Sequence, residues 1–225
     1  MTFSLVARCS RTGMFGMVIS SSSPAVAARC SHARAGVGVV ASQNVTDPRL
    51  GPRALDLMER GASAEEAVAI LRRSGGEAMD WRQVLAVDAQ GAAAIHSGRN
   101  VLGTWGEARG EGAAAGGNLL AQPGVPQAML DAFQAAEGHL GDRLLQALLA
   151  GRDAGGEAGP VHSAGLLLVH EQSWPLAELR IDWTADDPIA AVAAAWAAYK
   201  PQMGAYVQRA LDPGAAPSYG VPGDP

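Results

Sequence analysis

Lysine is almost missing from this chain. Of 17 basic residues Lys200 is the one lysine, which leaves 16 arginines. A Schiff base, a P-loop lysine or a Ser-x-x-Lys general base would have to use Lys200, late in the chain and directly before Pro201, so those mechanisms are set aside. Cysteine is nearly as scarce. Cys9 and Cys30 lie among apolar or small residues with no Cys-x-x-Cys or Cys/His ligand spacing, and two reduced structural thiols are expected. The five histidines never fall at His-x-x-x-His spacing, and Asp186 with Asp187 reads as a helix cap, so neither a metal nor another cofactor is expected.

Charge is thin as well. Only 17% of residues are charged, the formal net charge is −5, and there is no basic run to track phosphates, which argues against nucleic acid as a partner. Long apolar runs are missing too: the segment 191–199 (AVAAAWAAY) is about half a membrane span, so no membrane partner is expected. The N-terminus has no positive stretch leading into an apolar one, and a cytoplasmic protein is expected.

What remains is small, apolar and regular. With 225 residues, 48% hydrophobic and 28 of them glycine, the chain can bury a sizeable core as one domain over residues 1–211, followed by a Pro/Gly-rich tail over 212–225. Thr2 to Arg8 and Met14 to Ser20 read as a hairpin about the turn Ser10 to Gly13, broken by Ser21 to Pro24. A third strand is expected over Ala35 to Gln43. Gly51 to Arg60 carries helical spacing, and Ser63 with Glu66 forms a capping box that opens a helix through Arg73. A hairpin over Gln83 to His96 turns at Asp88 to Gly91.

Beyond it, Gly103 to Gly117 is glycine-rich and ends at Asn118, without a strand-to-helix dinucleotide fingerprint. Helices are expected near Val125–Ala136 and Asp142–Leu149, then a glycine-rich loop from Gly151 to Gly159. Strands follow over Ser163–His170 and Leu176–Trp183, then a helix capped by Asp187 and Pro188 and running to Tyr199, and another over Met203–Leu211. Strands linked by hairpins argue for antiparallel sheets. The expected class is α+β, a four-layer αββα sandwich of two mainly antiparallel sheets.

Thr2 is the first residue of interest. Removal of Met1 would give one residue both a hydroxyl nucleophile and a free α-amine, whose unperturbed pKa of about 8 suits a general base. The nucleophile would begin directly at the first strand of a hairpin, which fixes its position.

A wider pattern carries a resemblance. It comprises Met1–Arg8 (MTFSLVAR), Ala33–Gln43 (ARAGVGVVASQ), Thr46–Pro52 (TDPRLGP), Gly61–Ala67 (GASAEEA) and Gly117–Leu120 (GNLL). Ala150-Gly151, Gly155-Gly156, Ser163-Ala164 and Ala216–Asp224 (APSYGVPGD) complete it. Over essentially its whole length the chain resembles the domain-of-unknown-function 1028 family, within the N-terminal-nucleophile hydrolases. The resemblance implies that superfamily's fold and an N-terminal nucleophile; it implies no substrate. Glu157–His162 (EAGPVH) departs from the pattern, which has an acidic residue, Arg-Gly and a polar pair there, and Asn44–Asp47 also departs.

Acyl transfer by Thr2 needs helpers. A cation to hold down the amine's pKa cannot be lysine, and Arg34, leading into the third strand, is the substitute expected. Asn118, after Gly116 and Gly117, is a candidate oxyanion donor. Ser20, Ser22, Gln43, Gly117, Glu157 and Ser163 are candidates to contact substrate. His96 and His162 read as ordinary strand-end or loop histidines. The expected activity is cleavage of an amide-like C–N bond in a small molecule. The alternative is a catalytically inactive relative of the fold that binds a small ligand or serves in assembly. A serine hydrolase built on Ser20 to Ser23 lacks the Gly-x-Ser-x-Gly elbow. Trp196 among alanines gives the helix ending at Tyr199 an apolar face for the sheet or for a second subunit, and a homodimer or higher homo-oligomer is expected.

Overall fold

The structure is a computed structural model and describes residues 1–221. Two sheets organise it, and every strand pairing is antiparallel. The chain opens with strands β1 (Thr2–Arg8) and β2 (Phe15–Ser21), a short helix α1 (Val26–Cys30), then β3 (Ser31–Arg34) and β4 (Gly38–Asn44). Helices α2 (Leu50–Glu59) and α3 (Ala64–Gly75) precede β5 (Arg82–Asp88), β6 (Ala93–Ser97), β7 (Gly106–Gly110) and β8 (Ala113–Asn118). Helices α4 (Val125–Ala135) and α5 (Leu140–Asp153) lead to β9 (Ser163–Val169) and β10 (Ala177–Ile181), and α6 (Pro188–Tyr199) and α7 (Met203–Leu211) follow. One sheet has the order β10-β9-β2-β1-β8-β7 and the other β3-β4-β5-β6.

Strand alternation divides the apolar side chains among three clusters. Phe3, Leu5 and Ala7 of β1 pack with Met129, Phe133, Leu144, Leu148, Val192 and Trp196 of α4, α5 and α6. Val6 points the other way, to Val39 and Ala41 of β4 and Leu85 and Val87 of β5. The outer face of the four-stranded sheet (Val40, Val84, Ala86) packs on Leu55, Met58, Val68 and Leu71 of α2 and α3. The even-numbered residues of β1 (Thr2, Ser4, Val6 and Arg8) therefore all face the space between the two sheets.

Local signals set several boundaries as expected. Ser63 and Glu66 exchange the reciprocal bonds of a capping box at α3. Asp187 caps α6 by accepting from Ile189 N–H at 2.9 Å and Ala190 N–H at 3.1 Å. Trp196 does not lie free on the surface: it is buried against the first cluster, and its Nε1–H donates to Asp142 at 2.8 Å. A Cβ on Gly141 would come within 2.4 Å of that indole, so glycine there makes room for the ring.

The structure corrects the glycine-rich reading of 103–117. Its second half is β8, hydrogen-bonded on both sides to β1 and β7. Here small side chains let the sheets approach: a Cβ on Gly116 would lie 3.2 Å from Leu85 and 3.4 Å from Gln83. The third expected strand also starts later, at Gly38, and α1 and β3 lie between the break at Ser21 to Pro24 and that strand.

Candidate active site

The register of the six-stranded sheet builds the site. Thr2 pairs with Asn118, Phe3 pairs with Ser20, and Ser21 pairs with Ser163. Asn118, Thr2, Ser21 and Ser163 thus form one row across β8, β1, β2 and β9, facing the four-stranded sheet at one end of the inter-sheet layer. All four are buried. Buried polar groups of this kind require partners, and most have them. Ser21 Oγ lies 3.5 Å from Thr2 Oγ1 and accepts from Ser23 N–H at 3.0 Å. Ser163 Oγ donates to Ser23 O at 2.6 Å and accepts from Val26 N–H at 3.3 Å. The hydroxyls of Thr2 and Ser21 both donate to the Met1 carbonyl oxygen.

A second polar row lies behind the first. Ser4 Oγ donates to Gln43 Oε1 at 2.6 Å, and Gln43 Nε2 donates to Gln83 Oε1 at 2.8 Å and to Gly116 O at 3.1 Å. Gln83 Nε2 in turn reaches Ser97 Oγ at 3.1 Å. This network spans both sheets and fixes the floor under Thr2. In contrast, Asn118 Nδ2 is buried without a hydrogen-bond partner among the described residues. It stands in the row beside Thr2 as an unused donor.

Glu157 enters from the loop after α5, where Gly155 and Gly156 take left-handed φ values of 109° and 55°. Ala121 N–H to Gly156 O at 3.0 Å and Ala158 N–H to Leu119 O at 3.0 Å tie that loop to the chain leaving Asn118. The Glu157 carboxylate accepts from Ser22 N–H at 3.2 and 3.1 Å. Burial pushes its pKa up to about 7, against the opposing pull of the chain's N-terminal ammonium and of Ser22. Among the described residues it has no ion-pair partner within 4.0 Å.

The residues singled out from the sequence are thus partly gathered. Thr2, Asn118, Glu157, the Ser22 backbone and Ser163 meet at one end, with Gln43 one layer behind. Ser20 does not join them: paired with Phe3 it points toward the helices, and its Oγ donates to Ser163 O at 3.2 Å. Gly117 likewise faces the helices, where a Cβ would meet Leu120 at 2.7 Å. Arg34 is the clear correction. It lies beside Val169, at the end of β9 remote from Ser163, and binds Asp56 at 2.9 Å and Glu59 at 2.7 Å. Six residues of strand, about 20 Å, separate those two ends. His96 and His162 bind backbone oxygens of Met79 and Thr184 at 2.9 and 2.8 Å, and His162 stacks on Trp183 with ring centroids 4.5 Å apart.

Ser4 and Gln83 are the members that sequence reasoning missed, and Ser21 was considered only as one of the run Ser20 to Ser23. Parity within the strand was the available signal, because Ser21 must share a face with Thr2 once β1 and β2 form a hairpin. Cys9 and Cys30 are both buried and free. Among the described residues no three His, Cys, Asp or Glu side chains come together as metal ligands, and no helix is long and apolar enough to cross a membrane.

The profile of a family described as a family of unknown function, DUF1028, matches residues 2–192. The crystal structure of a Silicibacter pomeroyi protein described as belonging to the same family is similar, with a TM-score of 0.82 and 30% identity over 88% of this chain and 89% of that one. Anbu (ancestral beta-subunit) from Yersinia bercovieri gives a TM-score of 0.40 at 12% identity, over 91% of this chain and 97% of that one. An Anbu (Gly-1) mutant from Hyphomicrobium sp. strain MC1 gives 0.42 at 13%, over 90% and 96%. Likenesses as slight as the last two bear no weight. No match was found among curated proteins.

Proposed function

Since the chain belongs to the family of unknown function DUF1028, we propose that it is an N-terminal-nucleophile hydrolase in which Thr2, freed by removal of Met1, cleaves an amide-like C–N bond of a small molecule. The two sheets with helices outside each are then the four layers of an αββα sandwich. The observation that carries the reading is the row Asn118–Thr2–Ser21: a buried nucleophile beside an amide donor that has no partner among the described residues.

In this mechanism the Thr2 α-amine takes the proton from Thr2 Oγ1, which attacks the substrate carbonyl. Asn118 Nδ2–H stabilises the developing oxyanion. The C–N bond breaks, the amine returns the proton to the leaving nitrogen, and water hydrolyses the Thr2 ester. The position of Met1 supports the assignment, because its carbonyl oxygen already takes hydrogen bonds from Thr2 and Ser21 in front of the row.

In this reading Glu157, rather than Arg34, is the partner of the amine. Continuing the β1–β2 register puts Met1 opposite Ser22, whose N–H the Glu157 carboxylate holds. The carboxylate accepts from the amine and positions it.

Intact-mass measurement of natively expressed protein reports whether Met1 is gone. A panel of amide substrates then tests wild type against Thr2→Ala. Loss of all turnover in the variant supports the reading. Retention of Met1, or full activity without the Thr2 hydroxyl, rejects it in favour of a ligand-binding protein without chemistry.

A further inference from the structure

Thr2 has a counterpart at the far end of β1. Arg8 is on the same inter-sheet face, paired with the buried Phe15, and its side chain emerges where three hairpin turns converge. Ser10 follows β1, Gln90 and Gly91 join β5 to β6, and Glu111 and Gly112 join β7 to β8. With Gln134 and Arg143 they line a cavity of about 360 Å³.

Arg143 is held rigidly there. Its guanidinium carbon lies 4.1 Å above the Phe133 ring, Nη2 donates to Phe133 O at 3.1 Å, and Nε is buried with no partner among the described residues. Arg11, in an adjoining cavity that Arg143 also lines, donates to Gly138 O at 3.2 Å. Among the described residues none of Arg8, Arg11 and Arg143 has a carboxylate within ion-pair distance, whereas Arg34, Arg49, Arg99, Arg152 and Arg180 all do. Arg29, Arg53, Arg72, Arg73 and Arg109 are likewise without one, but Arg8 and Arg143 line the same cavity and bring unpaired positive charge to it. Glu111, the one carboxylate lining the cavity, opposes only part of it.

We propose that this cavity binds the phosphate group of a small anionic molecule. Two guanidinium groups from different elements suit a tetrahedral group of three oxygens and up to two charges, whereas one fork saturates a carboxylate. The Ser10 hydroxyl and the Gln90 and Gln134 amides supply neutral donors, and the volume leaves room for the rest of a metabolite. This site is separate from Thr2 and makes no use of the chemistry proposed there.

Titration of the full-length protein with inorganic phosphate, followed by calorimetry at constant ionic strength with acetate as the comparison, tests it. Saturable binding of phosphate over acetate is expected. Arg143→Gln and Arg8→Gln each weaken it at least about tenfold, as loss of a charge-assisted bond does. Glu111→Gln tightens it, and Thr2→Ala and Arg72→Gln leave it unchanged. Absence of saturation in the wild type, or equal phosphate affinity in Arg8→Gln and the wild type, overturns the proposal. If Arg143→Gln does not fold, Arg8→Gln carries the same decision.

Discussion

The two ends of the inter-sheet face of β1 differ in chemistry although one alternation of side chains produces both. At the Thr2 end the groups are hydroxyls, amides and a single carboxyl, nearly all buried and joined through Gln43 and Gln83 across the sheets. At the Arg8 end they are guanidinium groups and turn residues around an open cavity. Depth explains the contrast. A charge cannot be buried cheaply without a partner, so the enclosed end keeps neutral groups and one carboxyl near neutrality, while the open end leaves its half-buried guanidinium groups in part to water. A site that polarises a carbonyl and a site that holds an anion need opposite environments, and a single strand supplies one at each end.

Exchanging the losses is the strongest way to break that comparison. Thr2→Ala is expected to reduce hydrolysis more than about a thousandfold while phosphate affinity stays at the wild-type value. Arg8→Gln should do the reverse, and parallel effects on both readouts would show that the two ends form a single site. The next effect is on stability. Gln83→Leu removes the partner of a buried amide and should cost about 1–3 kcal/mol in denaturant unfolding. The exposed Gln90→Ala at the other end should cost less than about 0.5 kcal/mol.

Smaller still is the effect on acid–base behaviour. Glu157→Gln removes the charge that favours the Thr2 ammonium, so the acid limb of the pH–rate profile should move to lower pH by on the order of one unit. The same substitution tests stability. Burial raises the Glu157 pKa from 4.5 to about 7 in the folded chain. The wild type therefore loses stability as pH rises through that window, and the glutamine variant should not. Comparing melting temperatures at pH 4.5 and pH 7 checks the sign.

Much of this was legible in the sequence, unevenly and for physical reasons. The β1–β2 hairpin, the Ser63 capping box and the Asp187 cap rest on local chemistry, and all three appear where the residues imply. The strand β8 did not, because AAAGGN carries no apolar alternation: its bulk is supplied by Leu85 and Gln83 from the other sheet. Thr2, Asn118 and Glu157 were each identifiable singly, yet their meeting depends on register, which a linear reading does not contain. Arg34 was assigned by elimination among cations. The structure engages it instead with Asp56 and Glu59 at the opposite end.

Lys200 closes α6 with its ammonium 2.6 Å from Asp142, under the same carboxylate that receives Trp196. Its side chain is 43% exposed. Amine-directed reagents therefore meet one side-chain amine in this sequence, that of Lys200. Tethered through Lys200, every copy on a sensor surface presents the same orientation. A fluorophore there reports on the junction of α5 and α6 alone.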